Sequence, residues 1–350
     1  MYLNRKYTFE NCERNVHLVD SILSIPFSKG TSTFIDVNRN FSIVADVDIK
    51  VRGFFKYEID KYVICDFNGD CYTYVNNGIK LQEMKYLLFN ANYCIQRKNI
   101  LDKLSDNYLY DFSTEKQLFE LNFGTRPFYI HDNEFVIFDK GDENRRFKTL
   151  VCYNLITCTQ LWLLELQYPD FLGYFGSEKT VINKTLGVYK DFLYVILSDG
   201  KLLKIDLKTG RIEKEYFEPF DDSTRPNNKF RVLKDGFLDV KFGKIYGGNP
   251  EFGIFDLSSE DLQIIELNKL YPKEVLQVNK VMNLNDNYLF INDYLNFRIG
   301  IVKKSNLEVV CTQQLEFNDF KARPLDMLIH ENMLFIYDDS KRLSVFEICE

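Results

Sequence analysis

The stretch Phe192-Leu-Tyr-Val-Ile-Leu197, Ser198-Asp199-Gly200, Lys201-Leu-Leu-Lys-Ile-Asp206, Leu207-Lys208-Thr209-Gly210, Arg211-Ile-Glu-Lys-Glu-Tyr216 decides the fold. It reads as strand, Asp-Gly turn, strand, Thr-Gly turn, strand: consecutive antiparallel hairpins that make a meander. The phrase returns in degraded form. Lys61 to Asp66 leads through Asn68-Gly69 into Cys71 to Val75, and Asn133 to Asp139 leads to Lys148 to Tyr153. Asn287 to Asn292 leads to Phe297 to Val302, and Asn332 to Asp338 to Arg342 to Phe346, with weaker copies at about 92–121 and 237–267. Second strands fall near 62, 93, 134, 192, 244, 287 and 333, a spacing of about 45 residues. That spacing is the period of four-stranded propeller blades.

The turn after the third strand marks the repeat most clearly. Asp206-Leu-Lys-Thr-Gly210 has counterparts in Asp111-Phe-Ser-Thr-Glu115, Asn154-Leu-Ile-Thr-Cys158 and Asp256-Leu-Ser-Ser-Glu260. An Asp or Asn opens each turn and a Ser or Thr follows to cap the backbone. Lys303-Lys-Ser-Asn306 reads as a version one residue shorter. The last copy ends without an outermost strand, while the first 50 residues hold extra strand-like stretches, Ser32 to Val37 and Phe41 to Val47. The expectation is an all-β chain in which 1–350 form a single β-propeller of about seven four-stranded blades. Repeats run over about 54–350, and residues 1–50 supply the N-terminal strand that closes the ring. Closure removes the open sheet edge that otherwise invites aggregation.

Leu202-x-x-Ile-Asp206-Leu-Lys-Thr-Gly210 resembles the blade repeat of the quinoprotein-like (PQQ-type) propellers, whose pattern sets a Trp four residues beyond the Gly. The sole tryptophan, Trp162, lies four beyond Cys158, the residue at the Gly position of its own copy. The resemblance covers the scaffold and implies blade-to-blade packing for Trp162.

Composition narrows the function. The chain is 45% hydrophobic and 15% aromatic, a strand-rich balance far from that of disorder. A net charge of −7 argues against nucleic acid as a partner and suits a basic protein. The longest apolar runs, such as Phe192 to Leu197, are far too short to cross a membrane as a helix. No secretory segment opens the chain, and none of the eight cysteines forms a Cys-x-x-Cys pair, which together predict a cytoplasmic protein with reduced, structural thiols.

No reaction is spelled out. His131 and His330 occupy equivalent places before the second strands of their blades and read as turn residues; His17 is the third histidine. Asp66-x-Asn68-x-Asp70 opens like a calcium loop, but Cys71 stands where Gly is needed and Asn77 where Glu is needed, so it reads as a hairpin turn. Gly247-Gly248 before Asn249-Pro250 also reads as a turn. Phosphate loops and nucleophile elbows are missing, and no metal or cofactor is expected.

Loops on a rigid scaffold carry function. The long ones share the propeller's top face: Lys140 to Lys148 with Arg145, Arg146 and Lys148; Gln167 to Thr185 with Tyr168, Phe171, Tyr174 and Phe175; and Phe217 to Phe230. These residues are the candidate partner contacts, since aromatics and arginine favour buried interface centres. Arg126-Pro127, Arg225-Pro226 and Arg323-Pro324 each precede an innermost strand about two blades apart, and their arginines are candidate anion ligands around the channel mouth. Two readings follow. One is a non-enzymatic propeller that binds a protein, in its narrowest form an immunity protein neutralising a toxin. The other is a quinoprotein-like oxidoreductase, or a glycan or small-anion binder, that uses the central funnel.

Overall fold

The computed structural model describes residues 1–58, 61–68, 70–75, 78–81, 85–90, 93–97, 107–125, 128–142, 146–173, 176–218, 228–248, 251–265, 280–293, 296–317 and 320–349. It is an all-β propeller of eight blades, which corrects the expected seven. Each of the seven second strands read from the sequence is a second strand; the eighth belongs to a blade hidden in the first 50 residues. Blade 1 comprises His17–Val19, Ile22–Pro26, Ser32–Asp36 and Ser42–Val47. The stretches taken as closing strands are thus the third and fourth strands of a full blade.

Blade 2 runs from Val51–Glu58 to Gly78–Leu81, blade 3 from Lys85–Asn90 to Lys116–Leu121, and blade 4 from Gly124–Thr125 and Tyr129–His131 to Thr159–Glu165. Blade 5 runs from Ile182–Tyr189 to Ile212–Tyr216, blade 6 from Phe237–Asp239 to Asp261–Ile265, and blade 7 from Lys280–Leu284 to Val309–Gln314. Blade 8 takes Pro324–His330, Met333–Asp338 and Leu343–Cys349 from the end of the chain and its outermost strand, Tyr2–Phe9, from the beginning. The expected N-terminal closure is therefore present. First strands touch between blades 1 and 2, 4 and 5, 5 and 6, 6 and 7, and 7 and 8, which sets them around the central axis. Among the described residues there is no α-helix, only the short 3-10 helix Lys229–Leu233, and no helix long and apolar enough to cross a membrane.

The hydrophobic core is divided among the joints between blades. Eight clusters of buried side chains lie one at each joint, including the one between blades 8 and 1. Side chains alternate along a strand, so each blade feeds two joints. In blade 5, Leu193, Val195 and Leu197 face blade 4, whereas Tyr194 and Ile196 face blade 6. This two-sided burial is why Phe192 to Leu197 is continuously apolar.

The third-to-fourth-strand turns behave as the sequence implies. Asp206 Oδ1 accepts the Thr209 amide at 2.8 Å and its hydroxyl at 2.7 Å. Asp111, Asn154 and Asp256 hold the amides of Ser113, Ile156 and Ser258 in the same way. The fifth residue of each turn has positive φ: Gly210, Glu115, Cys158 and Glu260. Blade 7 corrects the shorter version expected there. Its turn runs the full length from Lys303 to Leu307, with Leu307 at φ +59° and its amide 2.8 Å from the Lys303 carbonyl.

Trp162 packs blade 4 onto blade 5, as the resemblance implied. Its indole N–H donates to the Leu207 carbonyl at 2.7 Å, and a Cβ at Gly210 would lie 2.6 Å from the ring. Gly247 and Gly248 are the end of a strand, Lys244–Gly248, not part of a turn. Gly247 pairs with Gly253, and a Cβ on either would run into Val232 of the 3-10 helix, at 2.4 Å and 2.3 Å. The glycines are the seat of that helix on blade 6.

The cysteines depart from the expectation of eight free thiols. Cys65 and Cys71 face each other across the second hairpin of blade 2 and form a disulfide, with Cα atoms 4.3 Å apart. They flank the Asp66–Asp70 turn, so hairpin pairing alone brings them together. The other six are in no disulfide. Burial pushes the Cys12 and Cys152 thiols up to about 12, which leaves them as small core hydrophobes.

Candidate functional site

The alternation of strands gives the two faces different chain. The bottom face carries the first-to-second and third-to-fourth-strand turns, which are tight. The top face carries the second-to-third-strand turns and every connection between blades. Among the described residues, three of those connections have structure of their own. The one from blade 4 to blade 5 forms the hairpin Phe171–Gly173 with Gly176–Glu178, and the one from blade 7 to blade 8 forms Glu316–Phe317 with Phe320–Lys321. The one from blade 5 to blade 6 carries the 3-10 helix, which buries Phe230, Val232 and Leu233.

These connections are fastened down. In the first, Thr180 donates to the Pro169 carbonyl at 2.7 Å, Lys179 pairs with Asp170 at 2.5 Å, and Ser198 receives the Val181 amide at 3.0 Å. In the connection from blade 5 to blade 6, Asn228 Oδ1 accepts the amides of both Phe230 and Glu218. Inner-strand side chains of blade 5 hold its far end: Asn183 donates to the Lys234 carbonyl and Lys184 to the Gly236 carbonyl, each at 2.7 Å. The Lys184 ammonium also lies 4.3 Å from the Phe237 ring centroid. Burial first, then the Lys280 charge, hold its pKa below the usual lysine value against the pull of Asp235.

The four candidate partner contacts among the described residues, Arg146, Lys148, Tyr168 and Phe171, fall in one sector of this face, at blades 4 and 5, but they do not all point outward. Tyr168 turns in. Its hydroxyl donates to Glu215 at 2.5 Å, and the Lys201 ammonium sits 3.8 Å from its ring centroid while pairing with Glu215 at 3.3 Å. Burial, then the bond to Glu215, raise its pKa well above the ordinary phenol value. Arg146 closes its own loop, with its guanidinium 2.9 Å and its amide 2.8 Å from the Asp142 carboxylate. Lys148 lies within the strand Phe147–Asn154, half-buried, and Phe171 opens the blade 4–5 hairpin, also half-buried. Arg145 and Tyr174, with Phe175, lie outside the described residues.

Of the three candidate anion ligands, Arg126 and Arg225 likewise lie outside the described residues. Arg323 stands where expected, before Pro324, the first residue of the innermost strand of blade 8. Its backbone exchanges hydrogen bonds with Asp339, and its guanidinium lies 5.0 Å from the Phe297 ring centroid.

The three imidazoles belong to blades 1, 4 and 8. His17 is bonded to the Arg52 carbonyl at 2.7 Å, and burial holds its pKa below the usual value. His131 lies 3.2 Å from Asp132. Asp66 spends its carboxylate on the amides of Asn68 and Asp70, both at 2.8 Å, as a hairpin turn does. Among the described residues no group of three or more His, Cys, Asp or Glu is arranged to hold a metal ion. Of the residues that fix the top face, Asn183 and Lys184 carried no sequence signal, because each acts on backbone about 50 residues away, brought to it from the next connection, while Thr180 and Asn228 act within their own connections.

No protein-family model matches the sequence, and no curated protein does. Solved structures match over nearly the whole chain. Sqt1 of Saccharomyces cerevisiae superimposes with a TM-score of 0.63 at 14% identity, covering 100% of both chains. The C-terminal WD40 domain of Sif2 gives 0.62 at 10% identity, over 100% of this chain and 99% of that one. BamB from Moraxella catarrhalis gives 0.58 at 11% identity, over 99% of each. At such identities the likeness shows the propeller fold alone. The quinoprotein-like repeat finds only a loose echo in BamB, and the WD40 domain matches as well.

Proposed function

We propose that the chain is a non-enzymatic interaction propeller that grips a partner protein with the top-face connections around blades 4 to 6. The observation that carries this reading is the contrast between faces: tight turns below, and above them connections with their own hairpins and helix, fastened to the blades by named hydrogen bonds. A pre-fixed surface loses little conformational entropy on binding. Phe171 and Lys148, with Arg145 and Tyr174, are the contacts proposed; Tyr168 and Arg146 act as supports, since their polar groups are already engaged. The surplus of acid over base suits a basic partner, and a toxin held by its immunity protein is the narrowest form of the proposal.

Affinity capture of the tagged protein from its native lysate tests this. One stoichiometric protein, lost when Phe171→Ala and Arg145→Ala are combined, is the expected result. Retention of that protein by the double variant would remove the top face from the reading. A cytoplasmic setting belongs to the proposal too; recovery of the tagged protein in the cytosolic fraction of its native cells is the outcome that goes with it, and recovery outside that fraction the outcome against.

A further inference from the structure

The bottom face carries a feature that the top-face reading does not use. Its first-to-second-strand turns are two or three residues long in blades 1, 4, 5, 7 and 8, but blade 6 has four, Val240-Lys241-Phe242-Gly243. Both apolar side chains point outward, with Val240 56% and Phe242 47% exposed. The turn tip is nonetheless fixed. The Phe242 amide donates to Asp239 Oδ1 at 3.2 Å, and the Asp239 carboxylate forms a buried pair with Lys304 of blade 7.

Lys241 reaches from this tip to Asp286 of blade 7 at 2.7 Å. Asp286 is on the rim of a depression of about 460 Å³ where the inner strands of blades 7 and 8 end. Leu284 and Ile329 give that depression apolar wall, Asn283 and Asn287 amides, and Asp286 and Glu331 carboxylates. Glu331 has no hydrogen bond or ion pair among the described residues, and the Lys241–Asp286 pair is exposed on both sides, 61% and 77%, so an incoming cation exchanges for it at small cost.

The surrounding rim has the same sign. The first-to-second-strand turns of blades 1, 4, 5, 6, 7 and 8 hold six carboxylates, Asp20, Asp132, Glu134, Asp191, Asp286 and Glu331, against two lysines, Lys190 and Lys241; of the six, Asp20 is also paired with Lys56 of blade 2. A cation approaching this face is attracted, an anion repelled.

We propose that the bottom face of blades 6 to 8 is a second docking surface, taking a basic segment of a partner protein. One apolar side chain of that segment packs on Val240 and Phe242, and a neighbouring arginine or lysine enters the depression between Asp286 and Glu331. The depression falls in the size range of side-chain and ligand pockets. Its mixed wall suits a long basic side chain, whose methylenes meet Leu284 and Ile329 while its charge meets the carboxylates.

The test is fluorescence anisotropy with labelled hexapeptides that alternate leucine with arginine, leucine with glutamate, or glycine with arginine. The leucine–arginine peptide is expected to bind saturably, with affinity falling as salt rises. Combining Asp286→Asn with Glu331→Gln should weaken it about tenfold, and Phe242→Ala about fivefold. Phe171→Ala, on the opposite face, should leave it unchanged, so failure here and failure of the top-face reading are told apart. The proposal is overturned by an unchanged affinity in the double variant, by equal binding of either control peptide, or by no saturable binding of the leucine–arginine peptide.

Discussion

Blades 5 and 1 align residue for residue from the second strand to the fourth. Ser198 and Gly200 correspond to Ser28 and Gly30, Asp206 to Asp36, and Gly210 to Asn40. Both blades feed two joints: blade 1 sends Leu23, Ile25 and Ile35 toward blade 8 and Phe34 toward blade 2. They differ in what surrounds the turn. Gly210, at φ +71°, lies under Trp162, whereas Asn40 holds a similar φ of +54° as an L-residue. The comparison teaches that what these two blades share is the opening carboxylate and the two-sided apolar pattern. Glycine at the turn is required only where a neighbouring blade presses on it.

The largest expected effects test whether blade 1 is a full member of the ring. Leu193 and Leu23 are both fully buried, so Leu193→Ala and Leu23→Ala should each cost about 2–5 kcal/mol in urea unfolding. A cost at Leu23 below about 1 kcal/mol, beside a full cost at Leu193, would mark blade 1 as an appendage.

The turn itself comes next. Gly210→Ala meets both a left-handed φ and the Trp162 ring, and should cost about 3 kcal/mol. Asn40→Gly should move the midpoint by less than about 1 kcal/mol, since Asn tolerates this conformation. Equal and opposite changes at the two sites would mean that φ, and not the tryptophan, dictates the glycine.

Removing the opening carboxylate should cost about 1 kcal/mol in either blade, by Asp206→Ala or Asp36→Ala, by analogy with helix caps. Blade 7 sharpens this, because Lys303 stands in the carboxylate's place. Lys303→Asp should add stability of about 0.5–1 kcal/mol, and a loss would show that the lysine has another task.

The smallest effect is pH-dependent and belongs to the joint between blades 5 and 6. Glu260 accepts from Lys204 at 2.7 Å and from Lys214 at 2.5 Å. Those bonds, Lys204's first, hold its carboxyl down to about 2 from an ordinary 4.5. The folded value is below the unfolded one, so the unfolded chain takes up the proton first. The contribution is complete above about pH 4.5 and disappears as pH falls toward 2. Glu260→Gln should lower the melting temperature at neutral pH and flatten its fall across that window. Parallel wild-type and variant curves would remove the clip.

Much of the ring was legible because its signals are local. Seven second strands announce themselves as apolar runs, and four turns through Asp or Asn with Ser or Thr. Blade 1 escaped because Pro26 ends its second strand, its inner strand is only His17–Val19, and Asn40 replaces the glycine. Yet Asp36 does cap its turn, taking the Asn38 amide at 3.0 Å, and that was the signal to follow. The candidate site was less legible. Loop length located the face, but whether an aromatic side chain faces solvent depends on partners far along the chain. Tyr168 is turned inward by Glu215 and Lys201, which lie on blade 5.

The sequence by itself determined the propeller class, the strand and turn chemistry of the blades, the closure of the last blade by the first strand, and the face on which long connections gather. Those features follow from periodicity and from short-range hydrogen bonding, which neighbouring residues decide among themselves. Only the tertiary structure decided that there are eight blades, that Cys65 and Cys71 pair, that Gly247 seats a helix, and that Val240 and Phe242 stand beside an acidic depression. Each of these depends on surfaces brought together by the ring, where burial and charge are set by residues remote in the chain.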